Sequence, residues 1–97
     1  VESAPTIAEG IEGGVSELTY RLGLRWIDDV LAVPETAIRR AVVDVLCRER
    51  LVIEGAAATG VAAVLAGRVP GERIGVILTG SNIDPDRLAG LMRESRF

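Results

Sequence analysis

Arg73-Ile74-Gly75-Val76-Ile77-Leu78-Thr79-Gly80-Ser81-Asn82-Ile83-Asp84-Pro85 is the stretch whose reading decides the fold. Ile74 to Leu78 is almost continuously apolar, the pattern of a strand buried on both faces in a parallel sheet. Asp84 followed by Pro85, Asp86 and Arg87 reads as an N-cap with proline at the first helical position. Between strand and helix lie a hydroxyl, two small residues and an amide. In open α/β sheets ligands collect at the carboxyl ends of strands, where Thr79 falls.

Working outward, residues 1–14 carry three glycines and a proline without periodicity and read as a loop over the top of a larger structure. A helix is expected from Ser16 to Arg25, capped by Ser16, with Leu18, Leu22 and Trp26 on one face. Asp28 to Val33 follows as a short strand ended by Pro34. Glu35 opens the clearest helix, in which Ile38, Ala41, Val42, Val45 and Leu46 recur at helical spacing. Its outer positions pair Glu35 with Arg39, Arg40 with Asp44 and Asp44 with Arg48. Such pairs add about 0.2–0.5 kcal/mol each, so this run reads as a solvated face.

Leu51 to Ile53 is a brief extension before Glu54. The helix from Ala56 to Ala66 is nearly all small residues. Glycine inside a helix costs about 1 kcal/mol relative to alanine, so Gly60 points to a packing demand. Arg68 to Glu72 forms a turn. The order is helix, strand, helix, helix, strand, helix, without repeats or an internal boundary. Two strands do not make a stable parallel sheet, so these slim apolar elements read as part of a larger α/β layer.

Ninety-seven residues suit one small domain, and with only Tyr20, Trp26 and Phe97 aromatic its core must be aliphatic. A net charge of -3 and the lack of a basic cluster argue against nucleic acid. No apolar run approaches the roughly 20 residues that span a bilayer, and no signal-peptide pattern is present. Cys47 is the single cysteine, so no internal disulfide is possible and a cytoplasmic setting is expected. On its helix it falls opposite the main apolar face, as a passive thiol. With no histidine, thiol–imidazole chemistry and Cys/His zinc sites are excluded within the chain. The opening Val1-Glu2-Ser3-Ala4-Pro5 reads as the middle of a longer protein.

Four segments in order carry a resemblance that covers nearly the whole chain: Pro5 to Gly10, Glu17 to Tyr20, Leu51 to Leu65, and Val76 to Asp84. None is specific alone, but order and spacing together resemble the C-terminal part of the serine/threonine dehydratases. These are fold-type II pyridoxal-phosphate enzymes that include serine racemase. The resemblance implies an α/β fold, a three-layer αβα portion of the larger domain of such an enzyme, with residues 1–97 as a single partial domain. It implies pyridoxal 5'-phosphate as cofactor and loss of water from a small hydroxy amino acid, giving a 2-oxo acid and ammonia. It also implies an N-terminal portion carrying the rest of the site and, for the complete enzyme, a homo-oligomer.

The resemblance assigns roles residue by residue. Thr79 matches the serine or threonine whose hydroxyl bonds the cofactor's pyridine nitrogen. Gly80 lets the backbone pass close to the ring, and Ser81 departs from the family's second glycine. Glu54 matches a glutamate near the ring, although its place at a helix N-terminus also suits a structural cap. Gly55 stands where the family often has proline. Ser16 falls where a glycine would border the substrate, and it lines the substrate or caps the helix. Asp28 and Asp29 read as a solvated pair, and the family's metal ligands fall upstream of Val1.

One feature of the chain bounds all this: its eleven cationic side chains are all arginine. The family holds its cofactor on a lysine amine, which then serves as base. Arginine stays protonated at working pH and cannot replace it. No catalytic residue is therefore expected in this chain. A non-catalytic α/β module packed on a partner chain, or part of an amino-acid racemase, are the alternatives.

Overall fold

Helices form where caps and periodicity place them. The computed structural model describes residues 5–94, so the reading of Val1 to Ala4 lies outside the described residues. Helix α1 (Glu17–Trp26) starts at Ser16, whose hydroxyl accepts from the Thr19 amide at 3.1 Å. Helix α2 (Glu35–Glu49) follows Pro34, and α3 (Gly55–Leu65) follows Glu54. Helix α4 (Pro85–Glu94) starts at Asp84, whose Oδ1 accepts from the Asp86 amide at 2.8 Å. A 3-10 turn at Glu9–Ile11 was not foreseen. None of these helices is long and apolar enough to cross a membrane.

The core is aliphatic, as the composition requires. Ile38, Ala41, Val42, Val43 and Val45 of α2 pack on Ala57, Ala58 and Ala62 of α3, with Ile53 and Leu91 closing the sides. Small side chains on α3 let the two helices approach closely. Gly60 meets the expected demand: a Cβ there would lie 2.9 Å from Val76 Cγ1, tighter than ordinary contact. Helix α3 stops at Gly67, whose φ of 70° suits glycine, with the Arg68 amide on the Ala63 carbonyl at 3.1 Å.

Three expectations need correction. Segment 5–11 is more than a surface loop, because Ile7 and Ala8 are buried in the core. The charged side of α2 is not wholly solvated. Asp44 is buried, with Oδ2 3.7 Å from Arg40 Nε and Oδ1 lacking a hydrogen-bond partner. A helix wedged between α3 and α4 buries a wider arc than its apolar stripe.

The third correction concerns the layers. Residues 28–33 and 74–78 are without helix, as expected, but neither pairs into a ladder, and no strand forms among the described residues. The three-layer αβα arrangement is therefore not seen among the described residues. A buried parallel strand needs hydrogen-bonded neighbours, and these segments do not pair with each other. Val30 is 81% exposed and Ile77 83% exposed, so no second layer covers them. Among the described residues, helix α1 likewise packs on no other helix.

Candidate functional site

Glu54 sits at the start of α3, half-buried, where the chain leaves the short extension 51–53. Its backbone N–H donates to the Gly80 carbonyl at 3.1 Å, the bond that ties the 73–83 segment to α3. Its side chain turns onto the same residue. A Cβ at Gly80 would collide with Glu54 Oε1, and one at Gly10 would lie 3.8 Å from Oε2 and 3.0 Å from Ala56 Cβ. The carboxylate therefore rests between two bare backbones, and glycine at position 80 is what admits it. A Cβ at Gly55 would collide with the Ile7 carbonyl, which explains glycine where another residue would push segment 6–8 off the core.

Beside Glu54 opens a cavity of about 590 Å³ lined by Ile7, Glu9, Glu54, Gly55, Asn82 and Arg87, among others. Arg87 Nη1 donates to Glu9 Oε1 at 2.6 Å, linking α4 to the 3-10 turn. The neighbouring turn is closed by the Ile83 amide on the Ser81 carbonyl at 2.9 Å, while Asn82 lines the cavity.

Of the residues expected from the sequence, the structure brings Glu54 and Gly80 together, with Thr79 directly preceding Gly80 in the chain. Thr79 is exposed and does not line the cavity. Ser16 stands apart. Its hydroxyl serves the first turn of α1, accepting from the Thr19 amide and lying 2.9 Å from the Thr19 hydroxyl, so capping is the role it performs here. Cys47 is exposed, as expected.

Thr6 and Glu35 were not foreseen. Pro34 offers no side-chain cap to α2, and Glu35 instead reaches back across the chain. Its Oε2 accepts from the Thr6 hydroxyl and its Oε1 from the Ile7 amide, both at 2.6 Å. The Thr6 oxygen in turn accepts from the Ala8 amide at 3.0 Å. Partial burial pushes the Glu35 carboxyl up. The bonds from Thr6 and Ile7, with Arg39 at 3.5 Å, outweigh that and hold it below the ordinary glutamate value. The one signal available was an acidic residue directly after a proline that cannot cap.

Chemically, the segment offers an exposed threonine next in the chain to a glycine that seats a carboxylate. The hydroxyl can donate to a ring nitrogen, while the space a side chain would fill at Gly80 is taken by the Glu54 carboxylate.

Comparison with known proteins gives the same direction. Residues 1–80 match the family model described as pyridoxal-phosphate dependent enzyme. The chain is 38% identical over 103 residues to the L-threonine ammonia-lyase of Thermotoga maritima, covering 99% of this chain and 26% of that protein. It is 31% identical over 93 residues to the catabolic L-threonine dehydratase TdcB of Staphylococcus aureus, covering 90% of this chain and 27% of that one. The chain thus spans little more than a quarter of the length of these relatives.

Proposed function

The chain belongs to the pyridoxal-phosphate dependent enzyme family, and from that premise we propose that it is part of a dehydratase acting on a small hydroxy amino acid. The α-proton and the β-hydroxyl leave as water, and the resulting enamine takes water back to give a 2-oxo acid and ammonia. The relatives' names as threonine dehydratase and threonine ammonia-lyase support this substrate class. The observation that carries the site is the Glu54 carboxylate lying against bare Gly80, which the exposed Thr79 directly precedes in the chain.

Pyridoxal phosphate, when bound, supplies an electron-withdrawing ring that acidifies the substrate's α-carbon. Within this chain, Thr79 is the residue that meets the ring nitrogen. A hydroxyl donates a hydrogen bond but is too weak an acid to surrender its proton, whereas a carboxylate would hold the nitrogen protonated. Thr79 therefore keeps the ring a moderate electron sink, which favours prompt loss of the β-hydroxyl over transamination. Gly80 admits the Glu54 carboxylate, which sets the polar environment beside the ring. The amine that takes the α-proton comes from a lysine outside these 97 residues.

The test is an assay of the complete protein, loaded with pyridoxal phosphate, on L-serine and L-threonine. Release of 2-oxo acid and ammonia in equal amounts is expected. D-serine formed from L-serine without 2-oxo acid would make it a racemase, and neither product from cofactor-loaded protein would overturn the proposal.

A further inference from the structure

We infer that Glu35 is a positioning residue for Glu54, acting from the head of α2 through the 6–10 segment; this rests on the reading of the Glu54–Gly80 site given above. Glu35 uses both carboxylate oxygens on this segment, accepting from the Thr6 hydroxyl and the Ile7 amide at 2.6 Å each. Charge-assisted bonds of this length are stronger than neutral ones. They hold the segment at two consecutive residues, and Arg39 backs the carboxylate at 3.5 Å while reaching Glu94 at 3.3 Å.

The clamped segment then does two things to Glu54. The Ile7 carbonyl lies directly against Gly55, so it fixes the first helical residue after Glu54. Three residues further on, Gly10 flanks the Glu54 carboxylate on the Oε2 side, opposite Gly80 on the Oε1 side. One wall of the carboxylate's seat thus belongs to the segment that Glu35 holds, and the other belongs to the segment that carries Thr79. Releasing Glu35 loosens the first wall, which then keeps the burial of Ile7 and Ala8 and the Arg87–Glu9 pair, and leaves the second in place. The carboxylate then swings away from Gly80 without any change in the residues of the site itself.

A shift near 1 Å in a positioned group can cost up to about 100-fold in rate. The expected loss in kcat for Glu35→Ala in the complete enzyme is therefore about 10- to 100-fold, with KM changing much less. The test is a double-mutant cycle between Glu35→Ala and Glu54→Gln in enzyme loaded with pyridoxal phosphate. It reads kcat and KM on L-serine and L-threonine, the cofactor's absorption band, and its dissociation constant. A residue that acts through Glu54 loses its effect once Glu54 is gone. Glu35→Ala should lower kcat and shift the band in the native background and change neither in the Glu54→Gln background. Glu35→Gln, which keeps one carbonyl acceptor, should recover part of the loss.

An equal drop in both backgrounds would overturn the proposal, because Glu35 would then act on stability alone. If Glu54→Gln itself left kcat, absorption band and dissociation constant unchanged, the site reading would fail, and the positioning role with it. Where Glu35→Ala yields too little folded enzyme, Thr6→Val keeps the β-branched shape and removes the hydroxyl. In the same cycle it should lower kcat in the native background only, and an equal drop in both backgrounds would again overturn the proposal.

Discussion

Helices α1 and α3 are of similar length and are both rich in apolar residues, yet they live in opposite surroundings. Ala57, Ala58 and Ala62 of α3 are almost fully buried. Leu18, Leu22, Leu24 and Trp26 of α1 are all at least 49% exposed. What separates them is the partner and not the content. Small residues let α3 lie close on α2, and the chain returns over it at Val76 and Gly80. Among the described residues, helix α1 is held by local terms: the Ser16 cap, the Glu17–Arg21 pair at 2.6 Å, and Arg25 stacked 5.0 Å over Trp26. Exposed pairs and caps are each worth about 1 kcal/mol or less. A helix of this length is marginal on such terms.

Substitutions can break this contrast or sharpen it. The largest effect is expected at Leu91, 2% exposed where α4 closes on α2, for which Leu91→Ala should cost about 2–5 kcal/mol. Gly55→Ala should cost about 1–3 kcal/mol, since its Cβ meets backbone at Ile7 and no flexible side chain can yield. Leu22→Ala on α1 should lie within about 0.5 kcal/mol of the parent. All three are read as shifts in the denaturant midpoint of this chain. A cost at Leu22 matching that at Leu91 would mean that α1 is packed after all.

Local chemistry made the helices legible. Ser16 and Asp84 mark starts by residue type, and Gly60 announces close packing by being glycine in a helix. Pairing was not legible from the Ile74–Leu78 run, because an apolar run states that a strand needs neighbours without saying whether they are present. The Glu35 clamp was hidden for a related reason: its partner Thr6 lies 29 residues away, and nothing in either neighbourhood names the other. Asp44 misled because charge pairs four apart look alike whether the helix face is open or covered. In the site, the resemblance proposed Glu54, Gly80 and Thr79 together, and the fold seats the first against the second. Gly10 flanks the same carboxylate from 44 residues away, and nothing in its neighbourhood names that contact.

The most direct test of the proposed site is the dissociation constant of pyridoxal phosphate measured for Thr79→Ser and Thr79→Ala in the complete enzyme. Serine keeps the hydroxyl and should leave the constant unchanged. Alanine removes a hydrogen bond worth about 0.5–1.5 kcal/mol and should weaken binding roughly 2- to 13-fold. Alanine binding as tightly as the parent, or serine weakening it as much as alanine, would contradict the placement of Thr79 at the ring.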